Sequence, residues 1–298
     1  MIQKIFLLLL SKLFQIIPLS ISLFIGRRLG DFVYSVLHLR RKVVMQNLNM
    51  VFGNEKSIAE LKCIAKHTYQ NFGMTLIEFI RLPITTVLSI KKYIRFDGKQ
   101  YLDSVLAQNR GVIVMTGHFN NWELMGAAHT FSDYKVSVYA RKLRNSVVND
   151  LVNGNRTKVG MEVISKQLAT REMLKALKTN HIIAFLIDQD ARSHGIFVDF
   201  FGKPASTFRG PASFSVRTKT PILPIFMSRE NHAFHLIHIE PPLIPNPEAN
   251  EDEEIVRLTQ AATRILEDYI RRYPDQYFWF HKRWKTQPNV ADNKNSNL

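Results

Sequence analysis

Cysteine is almost missing from this sequence. Cys63 is the single example, which excludes an intrachain disulfide and any cysteine-based zinc cluster. The chemistry therefore does not depend on an oxidising compartment. Acidic residues are scarce too: 25 Asp and Glu stand against 40 Lys and Arg, a net charge of +15. A surplus that large selects anionic partners, among them lipid headgroups, phosphorylated substrates, an acidic carrier protein and nucleic acid. Several catalytic signatures are also absent: no Gly-x-Ser-x-Gly elbow, no Walker loop, no Gly-x-Gly-x-x-Gly fingerprint and no zinc-binding helix motif. Covalent serine hydrolysis, nucleotide-driven chemistry and dinucleotide redox all lose ground. No internal repeat is visible.

What is present is a folded, apolar chain. Of the 298 residues 46% are hydrophobic and 22% charged, enough for one large α/β domain or two modest ones. The N-terminus is its most apolar part. Residues 2–25 are broken mainly by Lys4, Lys12 and Gln15, and Arg27 and Arg28 follow. About 20 apolar residues span a bilayer, but Lys12 at the midplane would cost about 3 kcal/mol. Three readings stay open: a single span, a helix lying in the interface, and a buried core helix. The first two make residues 1–28 a membrane anchor. No small-x-small cleavage site follows, so a removable signal peptide is not expected. Arg40, Arg41 and Lys42 add to the positive flank, which places the body (29–288) on the cytoplasmic face of an anionic membrane. Residues 289–298 read as a polar disordered tail.

The periodicity predicts a basic amphipathic helix over 31–51 and a longer one over 57–82, started by a Ser57/Glu60 capping box and stopped by Pro83. Beyond Tyr93 short strands alternate with helices. Buried apolar strands are expected at 111–116 and 181–187, further strands at 135–140, 221–227 and 233–239, and a final one at 276–280. Helices are expected at 145–159, 169–178 and 251–272. Alternation of this kind implies an α/β fold with a mixed, partly parallel sheet flanked by helices. In such sheets the chemistry gathers at the carboxyl ends of strands.

Directly after the first buried strand stands Gly117-His118-Phe119-Asn120-Asn121-Trp122-Glu123. Residues five apart do not share a face of a regular helix. With His118 in the turn before the helix, however, Glu123 in its early turns can reach back, fix the ring tautomer and free the other nitrogen as a general base. This pair has no protein nucleophile and suits activation of a hydroxyl on a bound substrate. Backbone amides of the same turn are candidates for stabilising the oxyanion. The plainer alternative has His118 capping the helix and Glu123 solvated. After the other buried strand comes Asp188-Gln189-Asp190-Ala191-Arg192. Its acids and arginine suit orientation of a polar headgroup, support of the active-site loop, or a simple capped turn. A metal is not expected, for want of a third clustered ligand. Arg141, Lys142, Arg144, Arg156 and Lys158 form a basic cluster fit for phosphate, or a solvated face. The aromatic and basic run 277–285 suits the membrane interface better than single-stranded nucleic acid, given the N-terminal segment. His232, His235 and His238 read as ordinary strand residues.

Taken in order, these features resemble the late acyltransferases of lipid A biosynthesis, a branch of the lysophospholipid acyltransferase superfamily. The likeness rests on Gly117-His118 with Glu123, Tyr139-x-Arg141, Ile187-Asp188-Gln189-Asp190, Phe200-Phe201-Gly202 with Thr207, and Trp279-x-His281-Lys282-Arg283-Trp284-Lys285. It covers nearly the whole chain. It implies a glycerolipid acyltransferase-like body on the cytoplasmic face of the inner membrane, needing no cofactor. The donor would be an acyl thioester on acyl carrier protein (or acyl-CoA), and the acceptor a hydroxyl of a phosphorylated, Kdo-bearing lipid A precursor. His118 would take the hydroxyl proton and Glu123 orient it. Arg141, Asp188 and Asp190 would lie near the substrate, and Arg209 would meet phosphate. Two alternatives stand beside this: acyl-CoA-dependent acylation of a lysophospholipid or other glycolipid, and a non-catalytic membrane protein that binds anionic lipid.

Overall fold

Pro18 sets the course of the N-terminal segment. The computed structural model describes residues 2–140, 142–164 and 169–288. Its first helix, α1 (Ile2–Ile16), stops just ahead of Pro18 and α2 (Leu19–Phe32) starts just after it. The proline ring removes a backbone donor and blocks the preceding turn. The anchor helix expected over 1–28 is thus two helices of 15 and 14 residues. At about 1.5 Å per residue α1 is about 22 Å long, short of a ~30 Å hydrocarbon core. Among the described residues no helix is long and apolar enough to cross a membrane, which corrects the single-span reading. Arg81 holds the break by donating to the carbonyls of Phe14 and, at 2.6 Å, Ile17. The tail expected over 289–298 lies outside the described residues.

The helix expected over 31–51 is interrupted as well. A π-helical turn (Val33–Leu37) and two left-handed residues, His38 and Arg40 (φ 52° and 60°), redirect the chain into α3 (Arg41–Phe52). Helix α4 (Ile58–Arg81) begins at the expected capping box: Ser57 Oγ accepts from Glu60 N, and Glu60 returns a bond to Ser57 N at 2.8 Å. Helix α2 lies against α4 at backbone contact. A Cβ on Gly30 would meet Tyr69 O at 2.3 Å, and one on Gly73 would meet Gly26 O at 2.2 Å.

Helix α5 (Val87–Tyr93) leads to β1 (Ile94–Asp97), α6 (Lys99–Leu106) and β2 (Val112–Thr116). Then come α7 (Trp122–Thr130), β3 (Val136–Tyr139), α8 (Ser146–Lys158), β4 (Glu162–Ile164), α9 (Ala169–Lys178) and β5 (Ile182–Leu186). A short antiparallel hairpin, β6 (Ile196–Asp199) and β7 (Pro204–Thr207), precedes α10 (Gly210–Thr218), β8 (Ile222–Asn231), β9 (Phe234–Ile239) and α11 (Glu251–Arg272). The main sheet runs β1-β9-β8-β2-β5-β3-β4 and is parallel except for the β8–β9 pair. The alternating pattern implied a mixed, partly parallel sheet, and the sheet found is mixed and mostly parallel. Strand β2 sits at its centre with every side chain buried, each such aliphatic residue contributing about 1.5–3 kcal/mol. The strand expected over 276–280 is instead a 3-10 turn (Pro274–Gln276) followed by one isolated bridge, Phe119 to Tyr277.

Candidate active site

Strand register assembles the site. Thr116 pairs with Leu186 across the parallel β2–β5 ladder. Two residues further along each chain are His118 and Asp188, so neighbouring strands deliver both to one carboxyl edge. His118 N donates to Asp188 Oδ2 at 2.8 Å, and His118 Nδ1 lies 2.7 Å from Asp188 Oδ1. A carboxylate only accepts, so in the neutral ring Nδ1 carries the hydrogen and Nε2 keeps its lone pair. The amide nitrogen of Gln189 stands 3.3 Å from Nε2. Burial by itself would raise the Asp188 carboxyl. The His118 charge and hydrogen bonds, with Arg283 behind them, outweigh it and hold the group below the ordinary carboxylate value. Arg283 is buried, donating to Ser206 O at 2.5 Å and to Thr207 Oγ1. The Tyr277 phenol is pushed well above its usual value, first by burial and then by the Asp188 charge.

The turn that carries His118 is tied on both sides. Phe278 N donates to His118 O at 3.0 Å and Asn120 N to Gln276 O at 2.8 Å. The amides of His118 and Asn120 are therefore already engaged and leave the set of oxyanion donors. Asn120 takes a left-handed φ of 49°, and Asn121 caps α7 by accepting from Leu124 N at 2.9 Å. The Asn121 amide in turn donates to buried Glu78, which receives Arg229 at 2.7 Å on each oxygen and His235 at 3.1 Å. The α7 start is thus pinned to α4, β8 and β9. His235 serves that cluster, His238 Nε2 meets Ser228 Oγ at 2.8 Å, and the His232 carbonyl accepts from Arg229. No group of three metal-ligating side chains is found among the described residues.

Glu123 faces elsewhere than expected. Helix α7 opens at Trp122, so Glu123 already has helical geometry and points toward α8 rather than back along the turn. Arg156 takes both oxygens, Nε to Oε2 at 2.9 Å and Nη2 to Oε1 at 2.5 Å, and Trp122 Nε1 adds a bond at 3.1 Å. In this geometry the carboxylate bonded to the His118 ring is that of Asp188, and Glu123 is bonded to Arg156. The Trp122 ring stands edge-on to His118, 4.8 Å between centroids, and separates it from an apolar cavity of about 50 Å³. Glu123 and Arg156 are polar members of that cavity's wall; Val114, Gly126, Val138, Met161 and Ile182 supply much of the remainder.

The other expected substrate contacts divide. Asp190 lies beside the dyad's loop: its amide donates to His281 Nε2 at 2.8 Å, Oδ2 accepts from Thr286 at 3.0 Å, and Oδ1 is buried without a partner among the described residues. Arg209 is spent on an exposed ion pair with Asp252 at 2.7 Å, at the start of α11, and no contact brings it to His118. Arg141 lies outside the described residues. Sequence reasoning had Arg156 only within a basic cluster, and it missed Gln189, Tyr277 and Arg283 as neighbours of the histidine. One signal was available. Each buried strand is followed, two residues past its end, by a residue able to move or hold a proton.

A histidine held by a carboxylate at a parallel sheet's carboxyl edge, with no hydroxyl or thiol bonded to it among the described residues and an apolar cavity alongside, suits enzymes that pass an acyl group to a substrate hydroxyl. Comparison with known families makes that class specific. The profile described as bacterial lipid A biosynthesis acyltransferase matches residues 2–286, and the chain belongs to that family. It is an O-acyltransferase. It is similar to the lipid A biosynthesis palmitoleoyltransferase of Escherichia coli K12, 26% identical over 275 residues, 91% of this chain and 87% of the relative. It is also similar to the lauroyltransferase of the same organism, at 24% over 278 residues, 91% and 88%. A phosphatidylinositol mannoside acyltransferase of Mycobacterium tuberculosis is 22% identical over 259 residues, 84% and 79%.

Proposed function

We propose that the protein moves a fatty acyl chain from a thioester, carried by acyl carrier protein, to a hydroxyl of a phosphorylated lipid A precursor. The single observation that carries this reading is the 2.7 Å contact of His118 Nδ1 with Asp188, which puts the hydrogen on Nδ1 and leaves the lone pair of Nε2 to act as the base once substrate displaces the Gln189 amide. Nε2 takes the acceptor proton as the hydroxyl oxygen bonds to the thioester carbonyl carbon. The C–S bond then breaks, and the sulfur leaves as a thiol with the proton that His118 held. No covalent enzyme intermediate is required. The donor chain enters at the apolar cavity beneath α7, which at about 50 Å³ has to widen to take it, and each methylene buried there adds about 0.8 kcal/mol. Glu123 is a positioning residue at the wall of that cavity, where it fixes the Arg156 guanidinium.

The reaction belongs at the cytoplasmic face of the inner membrane, where α1 and α2 lie in the anionic interface rather than across it. Support comes from Leu9, Ile16, Phe24 and Leu39, all left exposed on this side, beside the basic residues 40–42. Apolar exposure on that scale marks an interaction surface. The test is transfer from labelled acyl carrier protein to a Kdo-bearing lipid A precursor, with acyl-CoA run beside it, using wild type and His118→Ala. Transfer by wild type alone supports reaction and base together. Equal transfer by the variant would remove His118 from the mechanism, and transfer from acyl-CoA alone would replace the donor.

A further inference from the structure

A second apolar space reaches the histidine by way of Phe278. It is a groove of about 370 Å³ between α2 and α4, closed at one end by Phe72, Phe278 and Phe280, a volume in the range of small-molecule sites. The same three rings line the small cleft that contains His118. Phe278 lies 5.8 Å from the His118 ring and 5.0 Å from Phe280, and Phe280 lies 4.7 Å from Tyr69. An aromatic track thus runs from the base outward into the groove. The groove exists because Gly26, Gly30 and Gly73 let α2 and α4 meet at backbone distance, which leaves side chains only along the flanks.

The two spaces differ in what they can hold. The cavity beneath α7 is lined by side chains of β2, β3 and β5, as suits a chain withdrawn from its carrier. The α2–α4 groove opens onto the exposed apolar face, with Leu29, Leu39 and Leu76 all more than two-fifths exposed at its rim. Arg40 stands at that rim, held by a left-handed backbone, and its guanidinium makes no hydrogen bond or ion pair among the described residues. An acceptor lipid that stays in the membrane needs such a combination: an open apolar slot for one of its chains and a free cation for its phosphate.

We infer that the α2–α4 groove binds an acyl chain of the acceptor lipid, with Arg40 on its phosphate, and so brings the acceptor hydroxyl to His118 along the Phe278 and Phe280 rings. This rests on the acyl-transfer reading above. The experiment has two arms. In the first, Leu76→Trp fills the groove from an exposed position, and the KM for the Kdo-bearing lipid A precursor should rise about tenfold with kcat nearly kept, the effect of displacing about two methylenes. Arg40→Gln should raise the same KM by less, and the rise should fade with added salt. In the second, the precursor carries a diazirine on one acyl chain and is crosslinked to the wild type. Adducts on Phe72, Leu76 or Phe280 are expected. Adducts confined to the cavity beneath α7, or an unchanged KM in a fully active Leu76→Trp enzyme, would overturn the groove and leave acyl transfer standing. If the wild type transfers nothing to any acceptor, the proposed reaction fails, and the crosslinking map still decides the groove.

Discussion

At the carboxyl edge of the sheet, Asp188, Glu78 and Arg283 are charged groups buried below a tenth of their surface. On the outer face of α1 and α2, Ile16 and Phe24 are apolar groups 83% and 61% exposed. Each region reverses the usual placement, and each does so at a cost. Buried charges survive because they are paired: Glu78 holds Arg229 and His235, and Asp188 holds His118. The exposed apolar face is left uncovered by the described residues apart from Arg28 over the Phe24 ring, and apolar exposure of this kind marks interaction surfaces. The first pattern reads as chemistry and the second as docking.

The largest effect that tests this contrast is at the base. His118→Ala should lower transfer by at least about 10²-fold while leaving the fold intact, checked by steady-state kinetics beside thermal unfolding. A variant that loses activity and stability together would turn the edge into a structural cluster. Next in size, Asp188→Asn should cost nearly as much, about 10²-fold, because the amide no longer fixes the His118 tautomer. Glu123→Gln should cost less, about tenfold, since it weakens only the hold on Arg156. Measuring kcat/KM for both ranks the two carboxylates, and a larger loss for the glutamate would restore it as the catalytic partner.

On the docking side, Phe24→Glu combined with Ile16→Glu should leave turnover on detergent-dispersed substrate nearly unchanged. It should also cut co-sedimentation with anionic vesicles severalfold. Unaltered vesicle binding would mean that other parts of the chain carry the attachment. The smallest effect concerns His129, which lines the cavity beneath α7 and whose Nε2 is buried without a partner among the described residues. Burial depresses it to about 4, only partly offset by its bond to the Met125 carbonyl. The unfolded chain therefore binds the proton more readily, and stability falls as pH drops from about 6.5 through about 4, by a few kcal/mol at most. In His129→Leu the melting temperature should lose that dependence over this window. A slope identical to wild type would assign the acid loss to another group.

Much of the fold was legible because its signals are local. The buried runs that became β2 and β5, the Ser57 capping box and the acid-first helix α11 depend on residue type and short-range spacing alone. So did the identity of His118, which follows a buried strand by two residues. The breaks in the N-terminal helices were harder. Pro18 and the left-handed pair around residues 38–40 act against a continuous apolar pattern, and apolar periodicity does not register backbone reversals.

The site's partners show where local reading ends. Glu123 is five residues from His118 and was the natural partner by proximity in sequence, yet Asp188, 70 residues away, holds the ring. That choice depends on strand order: β5 lies next to β2, so equal steps past two paired residues meet at one edge. Arg156 reaches Glu123 only because α8 lies beside α7's first turn, and the groove exists only because three glycines on two helices meet. By itself the sequence determined the family, the partly parallel α/β architecture, the basic charge and the place of His118 after a buried strand. Tertiary structure decided which carboxylate meets His118, where apolar spaces open beside it, and that the N-terminal segment is two short helices, because each depends on groups brought together across long stretches of chain.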